Sequence, residues 1–175
     1  MALLEAEGLK VYYFTSKGVV KAVDDIVLRV ERGESLGLAG ESGCGKSTFG
    51  FSLLRLVPPP GRIVGGRILF GGKNILEVDQ ETFRKEYRWK RISMVFQGAM
   101  NALNPVRRVG DQIVEAILAH DENASVEEAY KRAGDLLELV GIDRVRIKSY
   151  PHELSGGMKQ RVVIAMALAL SPELL

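Results

Sequence analysis

The chain has a single cysteine, Cys44, so no internal disulfide can form, and a reducing, cytoplasmic setting is expected. It has no excess of either charge. With 24 Lys and Arg against 22 Asp and Glu and a net charge of +2, it lacks the basic surplus that nucleic acid would demand as a partner. The opening stretch MALLEAEGLK has neither the basic start nor the long apolar core of a secretory signal. Long hydrophobic runs are missing too: the longest, residues 162–170, is less than half of the roughly 20 residues needed to span a bilayer. Any membrane role is therefore expected to go through a partner. There is no internal repeat and no low-complexity segment. At 46% hydrophobic over 175 residues, the chain can bury a substantial core, as one domain or one domain with an insertion.

What is present is phosphate chemistry. Gly40, Glu41, Ser42, Gly43, Cys44, Gly45, Lys46 and Ser47 fit the pattern of a glycine, four residues, then Gly-Lys-Ser or Gly-Lys-Thr, with Thr48 following. The small apolar run Ser35-Leu36-Gly37-Leu38-Ala39 ahead of it reads as a buried strand, and Ser47 to Leu56 reads as a helix stopped by Pro58-Pro59-Pro60. A glycine-rich turn between them leaves successive N–H groups pointing inward at a helix N-terminus, which is a nest for phosphate. Lys46 is placed to reach the β- and γ-phosphates of a nucleotide, and the Ser47 hydroxyl to ligate Mg²⁺. The competing reading is a plain glycine-rich turn carrying an exposed lysine. Cys44 is either an inert small residue in the loop or a thiol whose modification blocks nucleotide by bulk.

The rest of the chain organises around that loop. Leu3 to Phe14 and Val19 to Val30 read as an antiparallel pair about the Thr15-Ser16-Lys17-Gly18 turn, with Asp24-Asp25 in a solvated turn. Gly71-Gly72 marks a second hairpin between Arg67–Phe70 and Lys73–Leu76. Asp79 to Trp89 reads as helical, and Ile92 to Phe96 as a buried strand that delivers Gln97 at its carboxyl end, the usual ligand crevice of an α/β sheet. Helices follow over Asp111–Leu118 and from a Ser125-Val126-Glu127-Glu128 capping box. The second of these has an apolar face of Ala129, Ala133, Leu136, Leu137 and Val140 and is closed by Gly141. His120 and His152 read as structural.

Ser155-Gly156-Gly157 precedes the apolar helical run Met158–Leu170, so Ser155 is a natural N-cap above free N–H groups. The conjunction of GESGCGKST, Gln97 after a strand, and LSGGMKQR resembles the ATP-binding-cassette ATPases, in which the last motif is the family signature. The likeness runs from the first strands to the last residue. It implies an α/β fold: a P-loop NTPase core with a RecA-like sheet, an antiparallel β subdomain and an inserted helical subdomain. The implied boundaries are 1–103 for the core with its β subdomain, 104–154 for the helical subdomain, and 155–175 for the signature helix returning to the core. It also implies ATP and Mg²⁺ as cofactors, with Ser47 and Gln97 on the metal and Lys46 and Gln97 serving catalysis. Two such domains pair head to tail, as a homodimer or heterodimer, so that Ser155, Gly156 and Gly157 touch the γ-phosphate held by the partner's loop. An aromatic near the N-terminus stacks on adenine. Tyr12 and Tyr13 point to opposite faces of a strand, so one alone can serve, and Tyr13 is chosen over an alternative in which it is a surface residue of an edge hairpin.

Residues Phe96 to Val106, with the Tyr150-Pro151-His152-Glu153 lead-in to the signature, are similar to ATPase subunits of oligopeptide, dipeptide and related nickel importers. That implies membrane-spanning transporter subunits as partners and a peripheral place on the cytoplasmic face of the cell membrane. The family pattern continues with an acidic pair after an apolar run that Leu174-Leu175 begins, and no substitute is visible upstream. The C-terminal part of the core is accordingly expected to be missing, and the 175-residue chain alone to bind ATP without turning it over. Alternatives are a purely ATP-binding fragment and a soluble, non-transport ATPase with the same cassette.

Overall fold

In the computed structural model, which describes residues 2–121 and 123–175 and only the backbone of residues 99 and 100, the Val- and Tyr-rich N-terminus folds back on itself. Strand β1 (Leu4–Thr15) pairs antiparallel with β2 (Gly18–Val30), Thr15 opposite Gly18 across the Ser16-Lys17 turn. Strand β3 (Gly61–Phe70) lies on the other side of β1, and β4 (Lys73–Asn74) closes a four-stranded sheet in the order β2-β1-β3-β4. The β3–β4 turn is the expected Gly71-Gly72, with φ of 56° and 81°, values that a side chain would strain. Alternation along β1 sends Leu4, Ala6, Leu9 and Val11 inward, where they are buried with Ile68, Phe70, Ile75 and Phe83. Helix α1 (Lys46–Leu53) follows the glycine loop and α2 (Gln80–Glu86) supplies Phe83. Arg55 fastens this half: its Nη1 donates to Val78 O at 2.6 Å while its guanidinium lies 4.9 Å from the Phe83 ring centre.

The chain divides into two compact units, Met1–Glu86 and Tyr87–Leu175. In the second, α3 (Val109–Leu118), α4 (Val126–Leu139) and α5 (Gly156–Ala167) share one core in which Val109, Ile113, Leu137, Val162 and Ala165 are buried. The capping box at α4 is complete, Ser125 Oγ accepting from Glu128 N at 3.2 Å and Glu128 Oε2 accepting from Ser125 N at 2.9 Å. Gly141, at φ 73°, ends that helix as its C′ residue.

Three local expectations are corrected. Residues 35–39 form no strand, and Leu36 and Leu38 are 46% and 49% exposed. Apolar composition signals a wish for burial, but a strand also needs a neighbour to bond, and the sheet described here does not reach this segment. Ile92–Phe96 is likewise not a full strand: only Ile92 forms bridges, in parallel, to Arg88 and Leu174, and Ser93 N donates to Leu174 O at 2.9 Å. Asp24 and Asp25 lie inside β2 rather than in a turn. Asp25 takes φ 62° where the β1–β2 register slips between Val23 and Ile26, so a bulge, and not a chain reversal, accommodates the acidic pair.

Candidate functional site

The glycine loop is shaped by one close approach. Gly45, the N-cap of α1, has φ 95°, and a Cβ there would stand 2.0 Å from the carbonyl oxygen of Ala22, so the position admits only glycine. The loop tightens through Cys44 N donating to Glu41 O at 3.3 Å. Lys46 then opens the helix, and its ammonium curls back over the loop to donate to Gly40 O at 2.6 Å, Glu41 O at 2.7 Å and Cys44 Sγ at 3.3 Å. The first turn of α1 carries no acidic residue to offset the positive end of the helix. Phe49 and Ser52 anchor the helix from its buried side, Ser52 Oγ donating to Phe49 O at 2.6 Å. Ser42, Gly43, Cys44 and Ser47 are exposed. Beside the loop is a hollow of about 330 Å³ bordered by Val23, Asp24, Ile26, Leu38, Lys46 and Phe49.

The two tyrosines of β1 part company as alternation requires. Tyr12 donates to Asp24 Oδ1 at 2.5 Å, and the Lys21 ammonium sits 5.4 Å from its ring centre. The bond to Asp24 raises the Tyr12 phenol above its ordinary value, and the same bond holds the Asp24 carboxyl below its own. Tyr13 turns instead to the loop helix: its hydroxyl is 3.3 Å from Thr48 Oγ1, and its ring packs over Gly61, where a Cβ would come within 2.6 Å of it.

In the second unit, Gln97 is exposed and is followed by Gly98 at φ 74°, which opens a 3₁₀ turn over Ala99–Ala102. Ser155 caps α5, its Oγ accepting from Met158 N at 3.3 Å. Ser155, Gly156 and Gly157 are exposed above a helix whose first turn has no acidic residue, while Leu154 and Val162 hold the segment in the core. Two residues with a role here were not singled out from the sequence. Arg161 donates through Nη1 to Gly141 O at 2.9 Å and through Nε to Gly157 O at 3.4 Å; its place four residues after Gly157 was the available signal. Gln112 is buried, accepts from Asn104 N at 2.8 Å and donates to Asn104 O and Arg107 O at 3.1 Å, bracing the loop that exposes Val106. A glutamine on an apolar helix face was the only hint of it.

His120 Nδ1 lies 3.2 Å from Ala116 O and the His152 ring stacks on Tyr150 at 5.6 Å between centres. Among the described residues no group of three or more His, Cys, Asp or Glu could hold a metal, and no helix is long and apolar enough to cross a membrane.

A glycine loop of this geometry feeding a helix, within an α/β chain that also exposes a capped Ser-Gly-Gly helix start, defines a phosphate-loop nucleotide-binding protein. More narrowly, the chain belongs to the ABC transporter family, whose model matches residues 23–175. It is 46% identical to the oligopeptide transport ATP-binding protein OppD of Bacillus subtilis (strain 168), across 99% of this chain and 49% of that protein. It is 43% identical to the dipeptide transport ATP-binding protein DppD of Lactococcus lactis subsp. cremoris (strain MG1363), across 99% of this chain and 50% of that one. Thus the chain spans about half the length of the curated relatives it matches. Among solved structures it is similar to the dimeric bacterial ABC transporter cassette MJ0796, with a TM-score of 0.83 at 26% identity, covering 97% of this chain and 70% of that one. A second structure of that cassette, bound to ADP and Pi, has the same TM-score of 0.83.

Proposed function

We infer that this chain is the nucleotide-binding part of an ATPase subunit that powers import of peptides or a similar small solute. The observation that carries the reading is the loop itself: Lys46, bonded to Gly40 O and Glu41 O, stands at a helix start stripped of acidic side chains. These residues fit ATP. The loop amides and the α1 N-terminus would receive the β- and γ-phosphates, Lys46 would exchange carbonyl partners for phosphate oxygens, and Tyr13 would flank the adenine. The exposed Ser47 hydroxyl and Gln97 are oxygen donors suited to Mg²⁺, which when bound neutralises phosphate charge. Ser155, Gly156 and Gly157 would meet the γ-phosphate held by a second nucleotide-binding domain, the same chain or another, paired head to tail. Cargo would be handled by membrane-spanning subunits, which places the chain at the cytoplasmic face of the membrane. The names of the similar OppD and DppD proteins support the peptide class of cargo. The organisation into residues 1–103, 104–154 and 155–175 belongs to the same proposal.

A second reading, binding without turnover by these residues alone, is favoured by one observation. Asp24, the carboxylate bordering the hollow beside Lys46, already accepts from Tyr12 and Lys21 and is held in its charged form, which makes it a weak base. The test is Mg-ATP binding and turnover by the chain beside Lys46→Ala. Binding that falls at least about tenfold on the substitution supports the phosphate site. Equal binding by both forms would overturn it, and turnover abolished by Lys46→Ala would overturn the binding-only reading.

A further inference from the structure

Arg161 joins two backbone carbonyls that belong to different helices. Its Nη1 donates at 2.9 Å to the carbonyl of Gly141, the left-handed residue that terminates α4, and its Nε lies 3.4 Å from the carbonyl of Gly157 in the first turn of α5. The planar guanidinium presents these donors in a fixed fork, so both helix ends are referred to one rigid group. The contact with Gly141 is tight: a Cβ on that glycine would stand 3.3 Å from Arg161 Nη1. The charge suits the negative end of α4 at Gly141 but opposes the positive start of α5, where no acidic side chain in the first turn offsets it. An arrangement that is unfavourable for the isolated helix is favourable once an anion arrives at the exposed Ser155-Gly156-Gly157 start.

The geometry points to Arg161 as a positioning residue for the Ser155–Gly157 turn. It holds the Gly157 peptide against the end of α4, so that the turn's N–H groups are preset for the phosphate held by a second copy of the chain. The inference rests on the pairing proposed above. Arg144 is the natural control, since it too grips α4, donating to Lys131 O at 3.0 Å and Asp135 Oδ1 at 2.8 Å, but at a site distinct from the Gly157 turn.

The test compares unsubstituted chain, Arg161→Ala, Arg161→Lys and Arg144→Ala. For each, Mg-ATP-dependent self-association is read by sedimentation velocity, ATP binding at concentrations where the chain is single, and thermal midpoint. The expected result is that Arg161→Ala weakens ATP-dependent association about tenfold or more while single-chain ATP binding is unchanged. Arg144→Ala is expected to lower the midpoint comparably and leave association alone. Arg161→Lys keeps the charge but loses the rigid planar fork that holds both carbonyls in fixed geometry, so stability is expected to recover without association. Association that follows the thermal midpoint across all variants, or that lysine restores in full, overturns the positioning role and leaves the pairing intact. No ATP-dependent association of the unsubstituted chain overturns the pairing of like copies and the inference with it.

Discussion

The hydroxyl of Tyr13 lies 3.3 Å from Oγ1 of Thr48, tying the first strand of the sheet to the first turn of the phosphate-loop helix. Its neighbour Tyr12 is committed to Asp24 on the opposite face. If the Tyr13 ring flanks adenine, Tyr13→Ala weakens ATP binding by about 1–3 kcal/mol, the range of a base stacked on an aromatic, and leaves inorganic triphosphate binding untouched. Tyr12→Ala leaves both unchanged. Titration calorimetry with the two ligands distinguishes them, and equal losses for ATP and triphosphate would count against an adenine contact.

Gly45 and Gly157 look alike in sequence and respond oppositely to a methyl group. At Gly45 an added Cβ meets Ala22 O at 2.0 Å in a left-handed backbone, so Gly45→Ala is expected to destabilise the first unit by about 1–3 kcal/mol. At Gly157 a Cβ has nothing within 4 Å and lies in a helix, so Gly157→Ala leaves stability level or raises it by up to about 1 kcal/mol. Urea unfolding of the two variants gives both values. A stable Gly157→Ala chain that no longer associates with ATP would separate the signature's function from its folding role.

Cys44 is an exposed thiol within the loop, 3.3 Å from the Lys46 ammonium. Bound nucleotide is expected to slow its alkylation in proportion to occupancy, and alkylated chain to lose ATP binding by bulk. Mass spectrometry after timed labelling, with and without Mg-ATP, reads the protection. Equal labelling in both samples would place the nucleotide elsewhere.

The α4 capping box carries a pH signature. Hydrogen bonds from the Ser125 backbone and side chain hold the Glu128 carboxyl below its ordinary value of 4.5, so the folded chain binds the proton less readily than the unfolded one. The contribution is therefore fully present above pH 4.5 and is lost as pH falls below that through the lowered folded value. In Glu128→Gln, which cannot ionise, the unfolding midpoint should lose that part of its acid dependence. An unchanged acid slope in the variant would mean the box does not titrate as a unit.

The local elements were legible because their causes are local. Alternating apolar residues and the Gly71-Gly72 pair specified the β hairpins, and Ser125 with Glu128 specified the start of α4, since each depends only on chain chemistry a few residues long. The phosphate-loop pattern was legible for the same reason: Lys46 bonds to the carbonyls of Gly40 and Glu41 a few residues before it. Leu36 and Leu38 show where such reading stops. Their apolar run predicts a strand, yet a strand exists only when another segment pairs with it, and no periodicity within the run can announce that partner. Ile92 is the complementary case: besides a local bridge to Arg88, it pairs with Leu174, far along the chain.

By itself, then, the amino-acid order determined the motifs, the caps, most of the turns and that Tyr12 and Tyr13 face opposite ways, all of them set by short-range sterics and hydrogen bonding. Tertiary structure alone decided that Tyr13 meets Thr48, that Gly45 sits under Ala22 O, and that Arg161 spans Gly141 and Gly157. Each of these depends on where distant backbone comes to rest, and that position is fixed by the joint packing of many side chains rather than by the residues that finally touch.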